Sequence, residues 1–163
     1  MRAISALALL LTILVAPVAQ TLNYQGLLKY SPPAGFKRND SRAPEGRTAF
    51  FGQEVNNYSP SVMLKTHPAG RYTAKSLGME TVAEMKRASD IKVVTAKELQ
   101  VSGKPAYLIQ IELKLGNGMQ VAQSQVISIH RSRAVIFSSS ALKVNAAENH
   151  ARFMRSLTSV VWI

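Results

Sequence analysis

The chain has no cysteine. That absence excludes disulfides, thiolate metal ligands and a cysteine nucleophile. It also excludes the cysteine-based lipid anchor of bacterial lipoproteins. Carboxylates are scarce. Only 9 Asp and Glu stand against 20 Lys and Arg, giving a formal net charge of +11 and a pI near 10.3. The one glycine-rich turn, Gly116-Asn117-Gly118, is followed by no Gly-Lys-Ser/Thr and no helical pattern, so it predicts a hairpin rather than a phosphate loop. No apolar run reaches the roughly 20 residues that a membrane-spanning helix needs.

What is present begins with an address. Met1-Arg2 supplies one positive charge, Ile4 to Val15 is apolar apart from Ser5 and Thr12, and Pro17 and Ala19 follow. A basic start, a short apolar stretch and a small-residue end are the parts of a secretory signal peptide. The expected cut lies after Ala19, with Gln20 as the alternative and an uncleaved membrane anchor as the competing reading. One arginine and an all-apolar middle do not make a mitochondrial presequence. Removing residues 1–19 takes the chain from 163 to 144 residues and its charge from +11 to +10. Residues 20–163 are long enough for a single domain with its own core. An exported chain without cysteine must hold by packing alone, which fits a periplasm.

The remaining pattern alternates strands and helices. Leu22 to Phe36 predicts a short strand and a Pro-Gly turn, and Lys37 to Arg47 a polar loop. Thr48 to Val55 and Ser61 to His67 predict two strands joined by a turn at Asn56 to Pro60. Thr73 to Ser89 predicts a helix capped by Thr73 and weakened by Gly78, a residue about 1 kcal/mol worse than alanine in a helix. From Ile91 the period becomes two. Ile91–Val101, Tyr107–Leu115, Met119–His130 and Ala134–Leu142 predict strands, the last three as an antiparallel meander. Asn145, with Glu148 in a capping box, predicts a closing helix whose apolar face runs from Ala147 through Phe153, Met154 and Leu157 to Val161. Trp162 and Ile163 are expected to pin it to the sheet. The fold class is α+β: an antiparallel sheet of about six or seven strands with two main helices packed on it.

Leu27 to Phe36 (LLKYSPPAGF), the strand pair Gly103 to His130, and Ala134 to Val161 with Phe153 and Leu157-Thr158-Ser159 carry a resemblance. Their order resembles the Mog1/PsbP-like fold family, which includes bacterial periplasmic proteins of unknown role. Members act as photosystem accessory subunits, small-GTPase release factors or secretion-related chaperones. The resemblance therefore implies a binding or assembly role rather than catalysis. A nuclear GTPase partner is incompatible with a secretion signal. No functional-residue motif of those groups matches this chain, so none is transferred.

No catalytic constellation emerges from the residues. His67, His130 and His150 lie in different elements without further ligands at zinc spacing. Glu80 and Glu84 sit one helical turn apart on an expected exposed face. Ser138-Ser139-Ser140 lacks the glycine elbow of an exposed nucleophile. Asn39-Asp40-Ser41 and Asn57-Tyr58-Ser59 match the glycosylation sequon but predict plain loops. No catalytic residue, cofactor site or metal site is expected. The charge is the remaining signal. Lys37, Arg38, Arg42 and Arg47, together with Arg131 and Arg133, are the candidate contacts for an anion or a partner. Nucleic acid is not expected, because no aromatic interleaving or recognised module accompanies the cations. Two readings follow: an exported, non-catalytic accessory domain that engages a protein partner, and a basic protein held electrostatically on anionic membrane or cell-wall surfaces.

Overall fold

The computed structural model describes residues 21–163. The expected leader and its competing anchor reading lie outside the described residues.

Ten strands and two α-helices follow in the order β1 (Leu22–Tyr24), β2 (Leu28–Tyr30), β3 (Lys37–Arg38), β4 (Arg47–Phe51), β5 (Ser61–Pro68), α1 (Ala74–Met85), β6 (Ile91–Val101), β7 (Lys104–Lys114), β8 (Gln120–His130), β9 (Arg133–Leu142), α2 (Ala146–Leu157) and β10 (Val161–Trp162). Seven of the strands form one antiparallel sheet in the order β3-β4-β5-β9-β8-β7-β6. The other three form a small sheet, β1-β2-β10. The α+β class and the strand number of the main sheet match the sequence reading. The small sheet does not appear in it.

The meander has a local cause. Ser102-Gly103 and Arg131-Ser132 both take positive φ at each central residue, 47° and 78° in the first turn and 47° and 57° in the second. Such turns match the right-handed twist of the strands they join, so they hold long hairpins in register. The result is four strands in sequence order, β6 to β9, rather than three.

Alternation then sorts side chains to two faces. Leu64, Phe137, Val126 and Leu108 stand opposite one another across β5, β9, β8 and β7. They pack with Phe153 and Leu157 of α2 and with Tyr24, Leu28 and Tyr30 of the small sheet. On the reverse face, Tyr107, Ile127 and Ile136 stand opposite one another and pack, with Ile109 and Ile111, against Leu77, Val82 and Met85 of α1. The helices therefore cover opposite faces. The chain leaves the sheet at β5, crosses behind β9, β8 and β7 through α1, and returns at the β6 edge.

Several local expectations are corrected. Lys37–Arg47 is not wholly a loop: Lys37 and Arg38 pair with β4, and Asp40–Arg42 makes a 3-10 turn. Leu22–Phe36 holds two strands, hinged at Gln25-Gly26. The first long strand ends at Phe51, before Val55. The shared parity expected along Ile91–Val101 fails at a bulge. Val93 faces Ile111 but Thr95 faces Gln110, so Val94 is the extra residue. Ile91 and Val93 consequently join the α1 core, and Leu99 and Val101 the α2 core.

α1 begins as expected, with a reciprocal Thr73–Ser76 capping box, but ends at Met85. At α2, Asn145 holds the N-cap position without a side-chain bond. The reason is its backbone: following the 3-10 turn Lys143–Asn145, Asn145 has φ −105° and ψ 9°, outside the extended region from which a cap side chain reaches the N–H groups of the first turn. Val161 is not on the helix, because pairing with Lys29 of β2 draws it into β10. Trp162 does pin the chain end. Its indole N–H donates to the Val101 carbonyl at 3.0 Å and its ring lies 5.2 Å from that of His130.

Candidate functional site

α1 packs on β6, β7 and β8 and leaves the β3–β4–β5 half of its face without a helix. The register assigns the side chains of that half. Arg47, Ala49 and Phe51 share one side of β4, Lys37 stands opposite Phe51, and Lys65 stands opposite Arg47. Lys65 in turn faces Ile136, a member of the α1 core. Lys37, Arg47 and Lys65 are therefore on the α1 face. Arg42 joins them from the 3-10 turn, its guanidinium 4.4 Å from the centroid of the Phe51 ring. It also donates to Ser59 Oγ at 3.4 Å.

These four cations have no salt-bridge partner among the described residues. Arg47 and Lys65 are directly opposed like charges, an arrangement that destabilises a sheet. Lys65 is half-buried. Burial, then the Arg47 charge, holds its ammonium below the usual lysine range. Between this basic edge and α1 lies a half-buried floor of Met63 and the polar Ser138, Ser140 and Gln125. Ser140 Oγ accepts from the Tyr58 hydroxyl at 2.8 Å and lies 2.9 Å from Ser61 Oγ. Ser139 points to the other face, where it accepts from Asn149 Nδ2 at 2.7 Å.

Of the candidates read from sequence, the fold brings together Lys37, Arg42 and Arg47. Arg38 stands opposite Phe50 and spends its charge locally, with Nη2 2.6 Å from Asp40 Oδ2. That guanidinium, helped by the Ala49 N–H, holds the Asp40 carboxyl below its usual range against a smaller opposing effect of burial. Arg131 is exposed at the tip of the β8–β9 turn. Arg133 shares the parity of Val135 and Phe137, hence the α2 face, and donates to Thr66 Oγ1 at 2.8 Å. Neither belongs to the basic cluster. Lys65 was missed by sequence reasoning. Its signal was the wet parity of β5, legible only once Arg47 is known to stand opposite.

The histidines are dispersed. His67 Nδ1 contacts the Pro68 carbonyl, His130 Nε2 lies 2.7 Å from the Ile163 carbonyl, and His150 Nδ1 lies 3.0 Å from Ser124 Oγ. Chemically, the basic edge offers unpaired cations on a flat surface, suited to holding anionic groups.

No protein-family model matches the chain, and no curated protein matches it significantly. Solved structures do match. A protein of unknown function from Pseudomonas aeruginosa, PA94, aligns with a TM-score of 0.63 at 10% identity, over 88% of this chain and 96% of its own. The cyanobacterial PsbP (CyanoP) of Synechocystis aligns with a TM-score of 0.59 at 17% identity, over 88% of this chain and 92% of its own. The fold is PsbP-like. LpqN, involved in cell envelope biogenesis of Mycobacterium tuberculosis, is similar to this chain with a TM-score of 0.61 at 14% identity, over 82% of this chain and 83% of its own. Among the described residues, no helix is long and apolar enough to cross a membrane.

Proposed function

We propose that this PsbP-like chain is an exported, non-catalytic accessory domain that engages a protein partner, with an acidic segment of that partner lying on the open half of the α1 face. The reading rests on one observation above the others: Arg47 and Lys65 stand opposed without a counter-ion, beside Lys37 and Arg42. Local conflicts of this kind are retained where function needs them. A carboxylate chain crossing β3–β4–β5 relieves the repulsion and takes up the unpaired charges. The apolar leader read in residues 1–19 supports export. The envelope role of LpqN supports the compartment.

Photo-crosslinking from position 63 in intact source cells tests the reading. The expected product is one defined adduct whose partner contributes an Asp- or Glu-rich peptide. The double variant Arg47→Glu/Lys65→Glu loses the adduct. A second reading, general attraction to anionic surfaces, draws on the +11 net charge. It predicts sedimentation with anionic vesicles that falls steeply with salt and is weakened as much by Lys86→Glu/Arg87→Glu, which removes the same four charge units at exposed positions elsewhere, as by the double variant. Strong vesicle binding without a protein adduct overturns the partner reading.

A further inference from the structure

The α2 face carries a second anomaly. Gln110, Ser124 and Ser139 stand opposite one another across β7, β8 and β9, where a covered sheet face normally holds apolar residues. Ser124 and Ser139 are buried and Gln110 is half-buried. α2 roofs only the Ser139 end, through the Asn149 bond, and sets His150 Nδ1 against Ser124 Oγ at 3.0 Å. Beyond His150 the row runs out under an open cleft toward Thr95, which stands opposite Gln110 on β6.

This cleft has a volume of about 330 Å³; Gln110, Glu112, Ser124 and His150 are among its polar lining, and Val94 and Ile111 among its apolar lining. That is the lower end of the size range for small-molecule sites. Among the described residues, the Gln110 amide makes no side-chain hydrogen bond and only one ring nitrogen of His150 is engaged. The charges are unbalanced. Lys143 and Lys92 share Glu112, at 2.9 and 4.0 Å. Lys97 stands opposite Leu108, one step along the same face, and has no carboxylate within salt-bridge distance among the described residues. Burial, then Lys97, holds His150 below the usual histidine range. With Glu112 held by two lysines, Lys97 just outside the lining as the uncompensated charge, idle neutral donors within it and no arginine fork for phosphate, the cleft selects a carboxylate that also carries hydroxyls.

We propose that the cleft between α2 and β6–β7 binds a small hydroxycarboxylate, its carboxylate facing Lys97 and His150 and its hydroxyls meeting Gln110 and Ser124. The site lies on the opposite sheet face from the basic edge, so the two readings stand or fall separately. The groups facing His150 are Lys97 of β6, Glu112 of β7 and Ser124 of β8; Lys143, ahead of α2, pairs with Glu112. A bound carboxylate favours the imidazolium, so binding tightens as pH falls.

The test is NMR on the purified chain, following His150 and the Gln110 side-chain amide with L-malate, D-gluconate and glycerol as probes. The two acids are expected to shift both resonances saturably, with Kd of about 1 mM or lower. Glycerol is expected to leave them in place. Malate is expected to bind several-fold tighter at pH 5.5 than at pH 8 and to raise the His150 titration midpoint. Lys97→Gln, an exposed change that does not threaten folding, is expected to weaken malate about fivefold at unchanged melting temperature. The absence of a saturable shift with either acid overturns the proposal. So does equal binding of glycerol, or full malate affinity in Lys97→Gln.

Discussion

Gly78 sits in the middle of α1, where helix propensity alone favours alanine by about 1 kcal/mol. The structure reverses that preference. A Cβ built on Gly78 falls 2.2 Å from Tyr107 Cδ1, 2.5 Å from Cγ and 2.9 Å from Tyr107 Cβ. The ring is 8% exposed and belongs to the core that α1 shares with β7 and β8, so it has no free volume to enter. Relief requires α1 or the ring to move by more than 1 Å, roughly three van der Waals tolerances in a packed interior. Overpacking of this size costs roughly 3 kcal/mol, leaving a net destabilisation of about 2 kcal/mol after the propensity gain. Gly78→Ala should therefore lower the urea midpoint at unchanged slope and the melting temperature by about 5 °C. In a Tyr107→Ala background most of the clash is gone, and the same substitution should cost roughly 1–2 kcal/mol less. Stabilisation by Gly78→Ala in the wild-type background would refute the packing argument and leave propensity in charge.

Three further outcomes are expected. Arg47→Glu turns the opposed like charges into an attractive pair, so it should raise stability by roughly 0.5–1 kcal/mol in urea unfolding, less at high salt, while abolishing the crosslink. A drop in stability would mean that the Arg47–Lys65 contact is not repulsive. The Tyr30 hydroxyl is buried and lies 2.8 Å from Ser156 Oγ, and burial raises its pKa far above the ordinary value of 10.0. The unfolded chain then loses this proton first, so stability should fall as pH rises above about 10; Tyr30→Phe should flatten that fall in alkaline melts. His150 is depressed below 6.5 by burial and Lys97, so its contribution is present above that pH and is lost as pH falls beneath it. Acid melts should show the loss, and His150→Gln should remove it; an unchanged acid limb would sink the assignment.

The long hairpins were legible because their turn residues and alternation act within the sequence window that folds them. Ser102-Gly103 and Arg131-Ser132 fall where the alternating runs break off, after Val101 and after His130, and the structure gives both the left-handed backbone that joins twisted strands. What escaped the sequence depends on distant partners. β10 exists because Lys29 and Leu28 offer an edge to Val161 and Trp162, a pairing across most of the chain. The bulge at Val94 lets one strand supply apolar residues to both cores, so a single parity along Ile91–Val101 misassigned its second half. Gly78 looked like a weak point of the helix and is a contact with Tyr107. The candidate site divided along the same line. Lys37, Arg42 and Arg47 were visible as charges, but their convergence with Lys65 depends on the β4–β5 register.

The two proposed sites share an origin in how the helices cover the sheet. Each helix has 12 residues and spans only part of a seven-strand sheet. α1 covers the β6–β8 half of its face and leaves the β3–β5 half bare. α2 packs on β9 and β8 and leaves uncovered the end of β6–β7 that carries Thr95, Gln110 and Glu112, while Trp162 of β10 helps cover the other end, with Leu99, Val101 and Leu108. A bare half-face cannot be apolar without inviting aggregation, so its residues must be polar or charged. Simple solubility is met by mixed charges on flexible stems at the rim. It does not require a half-buried lysine set against an arginine, or a buried serine and half-buried glutamine lined up under a histidine. The first opposes stability locally and the second leaves the Gln110 amide idle; one lies on each uncovered region. Placement at the uncovered parts of the sheet, rather than the total charge, is what separates the basic edge and the α2 cleft from the cations scattered over the rest of the surface.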